Sequence, residues 1–73
     1  MRLRIAELRK QRGMTQPELA NRVFITQGSV SAFEANAKLP GLETAYRIAN
    51  VLGCKIDDLI VQEVQHEHLS DSA

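Results

Sequence analysis

The sequence predicts an all-α fold, and two observations support this fold class. Apolar residues recur at spacings of three and four in several segments, and residues that commonly begin or end helices flank these segments. No segment is typical of a strand. The chain has 73 residues, the length of one small domain, which buries about 60% of the surface exposed by its unfolded chain.

The first helix is predicted over about residues 3–12. Ile5 and Leu8 have the spacing of an inner face, and Gly13 is expected to end the helix because glycine enters the left-handed region without steric cost. Basic residues lie on the flanks of this helix: Arg2, Arg4, Arg9, Lys10 and Arg12.

The second helix begins after Thr15. Thr15 and Glu18 have the spacing of a capping box, in which each side chain bonds to the backbone N–H of the other residue. Pro17 falls in the first turn, where its missing N–H costs little. The apolar residues of this helix are Leu19, Ala20 and Val23.

A third helix follows almost at once. Thr26 supplies its N-cap, Val30 and Phe33 have the apolar spacing, and Asn36 is the expected left-handed residue after its end. The other face carries only short, uncharged residues: Gln27, Gly28, Ser29, Ser31 and Ala32. A solvated helix face usually carries Lys and Glu, so this composition favours close approach to another molecule.

The fourth helix is predicted over about residues 42–52, after a loop at residues 39–41, and Gly53 ends it. Six apolar residues are expected on or near its inner face: Leu42, Ala45, Tyr46, Ile48, Ala49 and Leu52. A fifth helix begins near Ile56, with Asp57 and Asp58 in the first turn, where carboxylates interact favourably with the helix dipole. Its core contacts are assigned to Ile56, Leu59 and Ile60. The predicted domain covers residues 1–64, and the polar tail 65–73 is expected to be frayed or disordered.

Charge is distributed unevenly along the chain, although the formal net charge is zero. Residues 1–40 contain seven basic and three acidic residues, whereas residues 41–73 contain two basic and six acidic residues. This asymmetry suits a protein that turns one face toward phosphate and remains soluble.

Several functional classes find no support in the sequence. Cys54 is the single cysteine, which excludes a disulfide framework and a cysteine zinc site, and we expect it to be a small buried residue in a reducing cytosol. No membrane span or signal peptide is visible, so a cytoplasmic protein is expected. His66 and His68 are two residues apart and do not share a helix face, so no metal site is predicted. No catalytic constellation, cofactor motif or small-molecule site appears, and an enzyme is not expected.

Two short capped helices joined by a tight turn are typical of a helix-turn-helix, which presents its second helix to double-stranded DNA. Gln27 is the strongest candidate for base reading, because its amide can bond both N6 and N7 of adenine. Ser29 and Ser31 could reach base edges or phosphates, and Ala32 could touch a thymine methyl group. Gly28 would allow close approach. The alternative is a polar helix face without a partner.

Phosphate contacts are predicted around this helix. Asn36 and Lys38 lie just beyond it, where a donor and a cation would meet the DNA backbone, and Thr26 lies at its N-terminus. Lys10 and Arg12 are weaker candidates and could equally be solvated charges.

Residues 5–59 resemble the Cro/repressor-type helix-turn-helix family, the xenobiotic-response-element-like transcription regulators. The matching positions are Leu8-Arg9, Gly13-Met14-Thr15-Gln16, Glu18-Leu19-Ala20, Thr26, Val30-Ser31, Glu34, Pro40, Leu42-Glu43-Thr44, Ile48-Ala49, Leu52-Gly53 and Asp57-Asp58-Leu59. The resemblance implies a compact five-helix, lambda-repressor-like DNA-binding domain, with the helix-turn-helix at helices 2 and 3. It also implies a dimer on a palindromic operator.

The resemblance implies roles for four further positions. Gln16 would bond a phosphate and brace Gln27, and Arg9 and Glu34 would form a partly buried ion pair between helices 1 and 3. Phe24 departs from the family pattern, since it stands where a turn glycine is usual. We expect it to be partly exposed and, at a positive φ, strained.

There are three other departures from the family pattern. Asn36 replaces another customary glycine, and the remaining two are Gly28 and Ala32. The last two stand at positions often filled by longer polar or basic residues, which leaves few side chains for base readout.

The leading interpretation is a sequence-specific transcription regulator, a repressor that binds as a homodimer. One alternative is an antitoxin or protein-interaction module that binds a partner through the acidic C-terminal half. A purely structural dimerisation module would leave the face of the third helix unexplained. The candidate dimer residues are Ile60, Val61, Val64 and Leu69. Ile60 and Val64 could instead complete the core of the monomer.

Overall fold

The computed structural model describes residues 2–61, which form five helices and two short strands. In chain order these are β1 (Arg2–Leu3), α1 (Ile5–Gln11), α2 (Gln16–Val23), α3 (Gln27–Glu34), α4 (Leu42–Leu52), α5 (Ile56–Leu59) and β2 (Ile60–Val61). Within residues 2–61, every helix is too short or too polar to span a bilayer. The predictions for Val64, His66, His68, Leu69 and the tail 65–73 concern residues outside this described part.

The helices pack around one apolar core. α2 packs against α3 and α4, and α1 contacts the same two helices. The largest fully buried side chains are Ile5, Leu19, Val23, Val30, Ile48, Leu52 and Leu59. Each such side chain contributes about 1.5–3 kcal/mol on burial, so this cluster holds α2 and α3 in a fixed relation. Cys54 is half-buried and packs against the same core.

The predicted capping box of α2 and the predicted left-handed residues after α1 and α3 are confirmed. Thr15 Oγ1 accepts from the Glu18 backbone N at 3.2 Å, and Glu18 Oε1 accepts from the Thr15 N at 2.9 Å, which completes the capping box. These bonds to Thr15 hold the pKa of Glu18 below its ordinary value. Gly13 and Asn36 adopt φ of 66° and 59°, so each residue ends its helix in the left-handed region.

Two predictions near the ends of the described chain are wrong. The first helix begins at Ile5 rather than residue 3, and residues 2–61 contain two strands where none was expected. β1 and β2 pair antiparallel, with Leu3 opposite Ile60 and Arg2 opposite Val61. Each strand has two residues, which is too short for any alternating pattern to be visible in the sequence.

Leu42 and Tyr46 do not lie on the inner face of α4, contrary to the prediction. Leu42 is 70% exposed and Tyr46 is 52% exposed. The buried stripe of the helix comprises Ala45, Ile48, Ala49 and Leu52. Because successive residues turn by about 100°, Tyr46 lies a quarter of a turn from Ala45. The apolar stripe in the sequence is therefore wider than the stripe that the core covers.

Candidate nucleic-acid interface

The turn between α2 and α3 is tight, and Phe24 forms its centre. Phe24 has φ 64° and ψ 42°, and the N–H of Ile25 donates to the carbonyl of Ala20 at 3.0 Å. The phenyl ring is 83% exposed, more than the partial exposure that we expected. A bulky residue in the left-handed region costs about 1–2 kcal/mol, so the turn is formed against local strain.

α3 is anchored on one side and open on the other. Val30 and Phe33 are buried in the core, and Gln27, Gly28 and Ser31 are exposed. The candidates for base reading therefore share one surface of α3, although Ser29 and Ala32 are half-buried.

The N-terminus of α3 is capped by the hydroxyl group of Thr26, which also bonds to the hydroxyl group of Ser29. Thr26 Oγ1 accepts from the Ser29 backbone N at 3.1 Å and donates to Ser29 Oγ at 3.0 Å. Each hydroxyl group thus has a bonding partner within the protein. Gln27 and Ser31 are the polar residues of α3 that are exposed on this surface.

A chain of hydrogen bonds connects the interior to Gln27. The Arg9 Nε donates to Glu34 Oε2 at 2.6 Å, and the Arg9 Nη2 donates to Glu34 Oε1 at 3.2 Å. The Gln16 Nε2 also donates to Glu34 Oε1, at 2.8 Å, and Gln16 Oε1 accepts from Gln27 Nε2 at 3.4 Å. The ion pair and the bracing of Gln27 that the resemblance implied are both present in this geometry.

The ionised carboxylate of Glu34 can only accept hydrogen bonds, and this fixes the donor and the acceptor of each bond from Arg9 to Gln27. Because ionised Glu34 cannot donate, the amide of Gln16 must turn its NH₂ toward Glu34 and its oxygen toward Gln27. Burial of Glu34 opposes ionisation, but the hydrogen bonds from Arg9 and Gln16 outweigh it and hold the pKa of Glu34 below its ordinary value. The same bond to Glu34 raises the pKa of Arg9.

The basic candidates for phosphate contact differ in whether the protein itself uses their donor groups. Lys10 and Lys38 are exposed, and Lys38 Nζ lies 5.9 Å from the centre of the Phe33 ring. Arg12, by contrast, uses its Nε to donate to the Leu52 carbonyl at 2.6 Å, which ties α1 to the end of α4.

Asn36 also has a structural role. Its Oδ1 accepts from the Leu3 backbone N at 3.3 Å, which leaves its NH₂ as the donor group.

Sequence reasoning missed the contacts of Arg12 and Asn36, and it also missed a third bond. The Arg9 Nη1 donates to the Met14 carbonyl at 2.8 Å, so the guanidinium of this α1 residue joins the α1–α2 loop to α3. The partners of Arg12 and Asn36 lie 40 and 33 residues away in the chain. No local spacing in the sequence carries a signal for bonds of this range.

Two short capped helices joined by a tight turn, the second with an open and uncharged exposed surface, have the arrangement of a helix-turn-helix. The family model described as "Helix-turn-helix" matches residues 5–59 of the chain. The chain therefore belongs to the helix-turn-helix family of Cro/repressor type, which confirms the resemblance and the predicted fold class.

Two relatives from archaea are similar over most of their length. An uncharacterized HTH-type transcriptional regulator of Archaeoglobus fulgidus is 41% identical over 61 residues, which cover 84% of this chain and 87% of the relative. Another, from Methanothermobacter thermautotrophicus, is 44% identical over 62 residues, covering 84% and 90%.

Solved structures show the same fold. SinR, a master regulator for biofilm formation solved in complex with DNA, has a TM-score of 0.70 at 25% identity, covering 74% of this chain and 87% of that one. The N-terminal DNA-binding domain of SinR from Bacillus subtilis has a TM-score of 0.74 at 24% identity, covering 85% and 91%. The family match and the relatives together identify the protein as a DNA-binding transcription regulator.

Proposed function

We propose that the protein is a repressor that binds a palindromic operator as a homodimer, with one α3 in the major groove of each half-site. The observation that carries this proposal is the hydrogen-bond chain from Arg9 through Glu34 and Gln16 to Gln27. It holds an amide in a defined direction on an otherwise uncharged helix face. Besides joining the helices, the arrangement fixes this amide on the exposed side of α3, where a ligand can meet it.

The bonding capacity of Gln27 matches adenine. One N–H of its Nε2 is used by Gln16, which leaves the second N–H and the Oε1 of Gln27. These two groups can donate to N7 and accept from N6 of one adenine, the bidentate pair that distinguishes it from other bases in the major groove. Gln27 is therefore assigned as the main base-reading residue.

The small residues of α3 set the distance to the DNA. A Cβ at Gly28 would meet only Thr26 Oγ1, at 3.8 Å, so the packing of the protein does not require glycine at this position. We assign Gly28 to close approach of the helix backbone to the bases. Ser31 adds a hydroxyl on the same surface, and Ala32 adds a methyl group for thymine.

Phosphate contacts position the helix. The second N–H of Gln16 Nε2 is free to bond a phosphate oxygen, since its first is used by Glu34. We assign Lys10, Lys38 and the amide of Asn36 to neighbouring phosphates. Arg12 is left out of this set because its Nε is held by the end of α4.

We propose a dimer because a single α3 offers few side chains for base contacts. One α3 with a single long polar reader contacts too few bases to select a site, and a two-fold axis doubles that number. It also places the two recognition helices about 34 Å apart, one turn of DNA. As a repressor the protein would act by occupancy, because a protein seated in the major groove excludes other proteins from the same DNA.

The test is selection of bound DNA from a random pool by the pure protein at two salt concentrations. We expect enrichment of two inverted half-sites whose centres lie about 10 base pairs apart, each containing adenine at one strongly selected position. Enrichment of a single half-site without a symmetric partner would contradict the palindromic operator. Binding without any sequence preference would contradict base reading by Gln27.

A further inference from the structure

The hydrogen bonds of Gln27 leave its amide little freedom to move. Its Nε2 donates to Gln16 Oε1 at 3.4 Å, and Gln16 Nε2 donates to Glu34 Oε1 at 2.8 Å. Glu34 is half-buried and accepts two bonds from Arg9, so this brace starts from a fixed point in the protein. If the Gln27 amide swings aside or exchanges its oxygen and nitrogen, Gln16 Oε1 loses its donor. The Oε1 of Gln27 is therefore held in one place.

In the proposed complex, this oxygen faces the N6 amino group of adenine. That group has two N–H bonds, of which one pairs with thymine and the other points into the major groove beside N7. The second N–H donates to Gln27 Oε1 in the bidentate contact. When N6 carries a methyl group and the base pair stays intact, the methyl group takes the place of the second N–H, because thymine requires the first. The donor that Gln27 uses is then absent.

We propose that the protein discriminates against N6-methylated adenine in its operator, so that the methylation state of the DNA controls binding. This discrimination rests on the proposed reading of adenine by Gln27, and it adds a chemical state of the DNA that regulates the same site. An acceptor that is removed from water and left without its donor weakens binding about 5- to 150-fold.

The surface around Gln27 does not suit a methyl group. A methyl group is stabilised where apolar side chains cover it. The exposed neighbours of Gln27 on α3 are Gly28, which offers no side chain for packing, and Ser31, which offers a hydroxyl group. An apolar groove of the described residues lies between the α3–α4 loop and α5, and no residue of α3 lines it. The surface therefore favours rejection of the methylated base over its recognition.

The brace determines how strongly the methyl group is rejected. Without the amide of Gln16, the Gln27 side chain gains rotational freedom and can turn its oxygen away from the methyl group. Gln16→Ala should therefore weaken binding to both forms of the operator and reduce the ratio of the two dissociation constants. A simple clash between the methyl group and the helix backbone would leave that ratio unchanged in Gln16→Ala.

The test measures dissociation constants for four forms of the selected operator by fluorescence titration at one salt concentration. The selected adenine of both half-sites is unmodified, N6-methylated or replaced by 7-deazaadenine, which lacks the N7 acceptor. The fourth duplex carries N6-methyladenine outside the half-sites and controls for the effect of the modification on the duplex. For the wild type we expect binding about tenfold weaker or more to the methylated and 7-deaza operators. Methylation outside the half-sites should change binding by less than about twofold.

Three variants relate the discrimination to named side chains. Gln27→Ala should bind the unmodified and methylated operators within about twofold of each other, because the amide is removed. Gln16→Ala should show a smaller ratio than the wild type. Ser31→Ala is the matched control on the same exposed surface and should keep the wild-type ratio.

The outcomes separate this discrimination from the proposed function. Wild-type binding that neither N6-methylation nor 7-deaza replacement weakens would contradict adenine reading, and the discrimination with it. Weaker binding to the 7-deaza operator, with equal or tighter binding to the methylated operator, would leave adenine reading in place and overturn the discrimination alone. A wild-type ratio in Gln27→Ala would also overturn it, because another residue would then sense the methyl group. A wild-type ratio in Gln16→Ala would overturn the role of the brace.

Discussion

At the scale of single residues, substitutions of Gln27 and Gln16 test the proposed roles in base reading and in phosphate contact. Gln27→Ala should cost about 1–3 kcal/mol on the preferred operator and little on random DNA, because only the operator presents the matching adenine. Gln16→Ala should weaken binding to both, because a phosphate contact carries no sequence information. It should cost more on the operator than on random DNA, since the brace of Gln27 is lost as well. Titrations with labelled operator and random duplexes measure these losses.

Equal losses on the two duplexes for Gln27→Ala would show that Gln27 does not read a base. Ser31→Ala provides the comparison, since it removes an exposed hydroxyl on the same helix outside the hydrogen-bond chain. Ser31→Ala should lose less binding free energy on the operator than Gln27→Ala does.

A substitution of Phe24 measures the free-energy cost of its left-handed backbone conformation. Phe24→Gly should be neutral to stabilising, within about 1 kcal/mol, because glycine removes the cost of φ 64° but adds entropy to the unfolded chain. The matched control is Gly53→Ala at φ 69°, where an added Cβ meets no atom within 4 Å. It should destabilise by about 1–2 kcal/mol through strain alone. Urea denaturation measures both, and a loss of several kcal/mol in Phe24→Gly would assign a packing role to the phenyl ring.

At the scale of elements, the Glu34 carboxylate joins α1, α2 and α3. Glu34→Gln should lower the free energy of unfolding at pH 7 by about 2 kcal/mol, because charge-assisted bonds from Arg9 and Gln16 are lost. The same substitution should reduce operator binding, since a neutral amide no longer dictates the direction of the Gln16 amide.

The stabilisation from Glu34 should depend on pH with a defined sign. The folded pKa of Glu34 lies below its ordinary value, so the contribution is fully present above the unfolded pKa of about 4.3 and is lost as the pH falls through the folded pKa. The difference in unfolding free energy between wild type and Glu34→Gln should therefore be constant from pH 7 to about pH 5 and shrink below it. A difference that grows toward acid pH would contradict the ionised pair.

At the scale of the whole molecule, cations near α3 should divide into those that bind DNA and those that hold the fold. Lys38→Ala should reduce the slope of log K against log salt by about 1 for each chain bound, because one phosphate contact is lost. Arg12→Ala should leave this slope unchanged and lower the free energy of unfolding by about 1–3 kcal/mol, because its bond to Leu52 is lost. A reduced slope for Arg12→Ala would place its guanidinium at the DNA.

The sequence alone determined the features that depend on neighbours within one or two helical turns. The caps at Thr15 and Thr26, the left-handed ends at Gly13 and Asn36 and the uncharged face of α3 are local, because each depends on side-chain and backbone groups a few residues apart. The assignment of Gln27 as base reader rests on composition and position, and it stays a prediction. The ion pair and the brace came from family resemblance, since nothing in the spacing of Arg9 and Glu34 predicts their contact.

The tertiary structure decided which of the apolar and charged residues meet. The pairing of Leu3 with Ile60 joins two-residue strands at distant points of the chain, and the bond of Arg12 to Leu52 spans 40 residues. Leu42 and Tyr46 have the spacing of a core face, but the elements packed against α4 do not extend over them. Such contacts depend on the angles at which helices cross, and these angles result from the packing of all the core side chains together, which no local segment of the sequence contains.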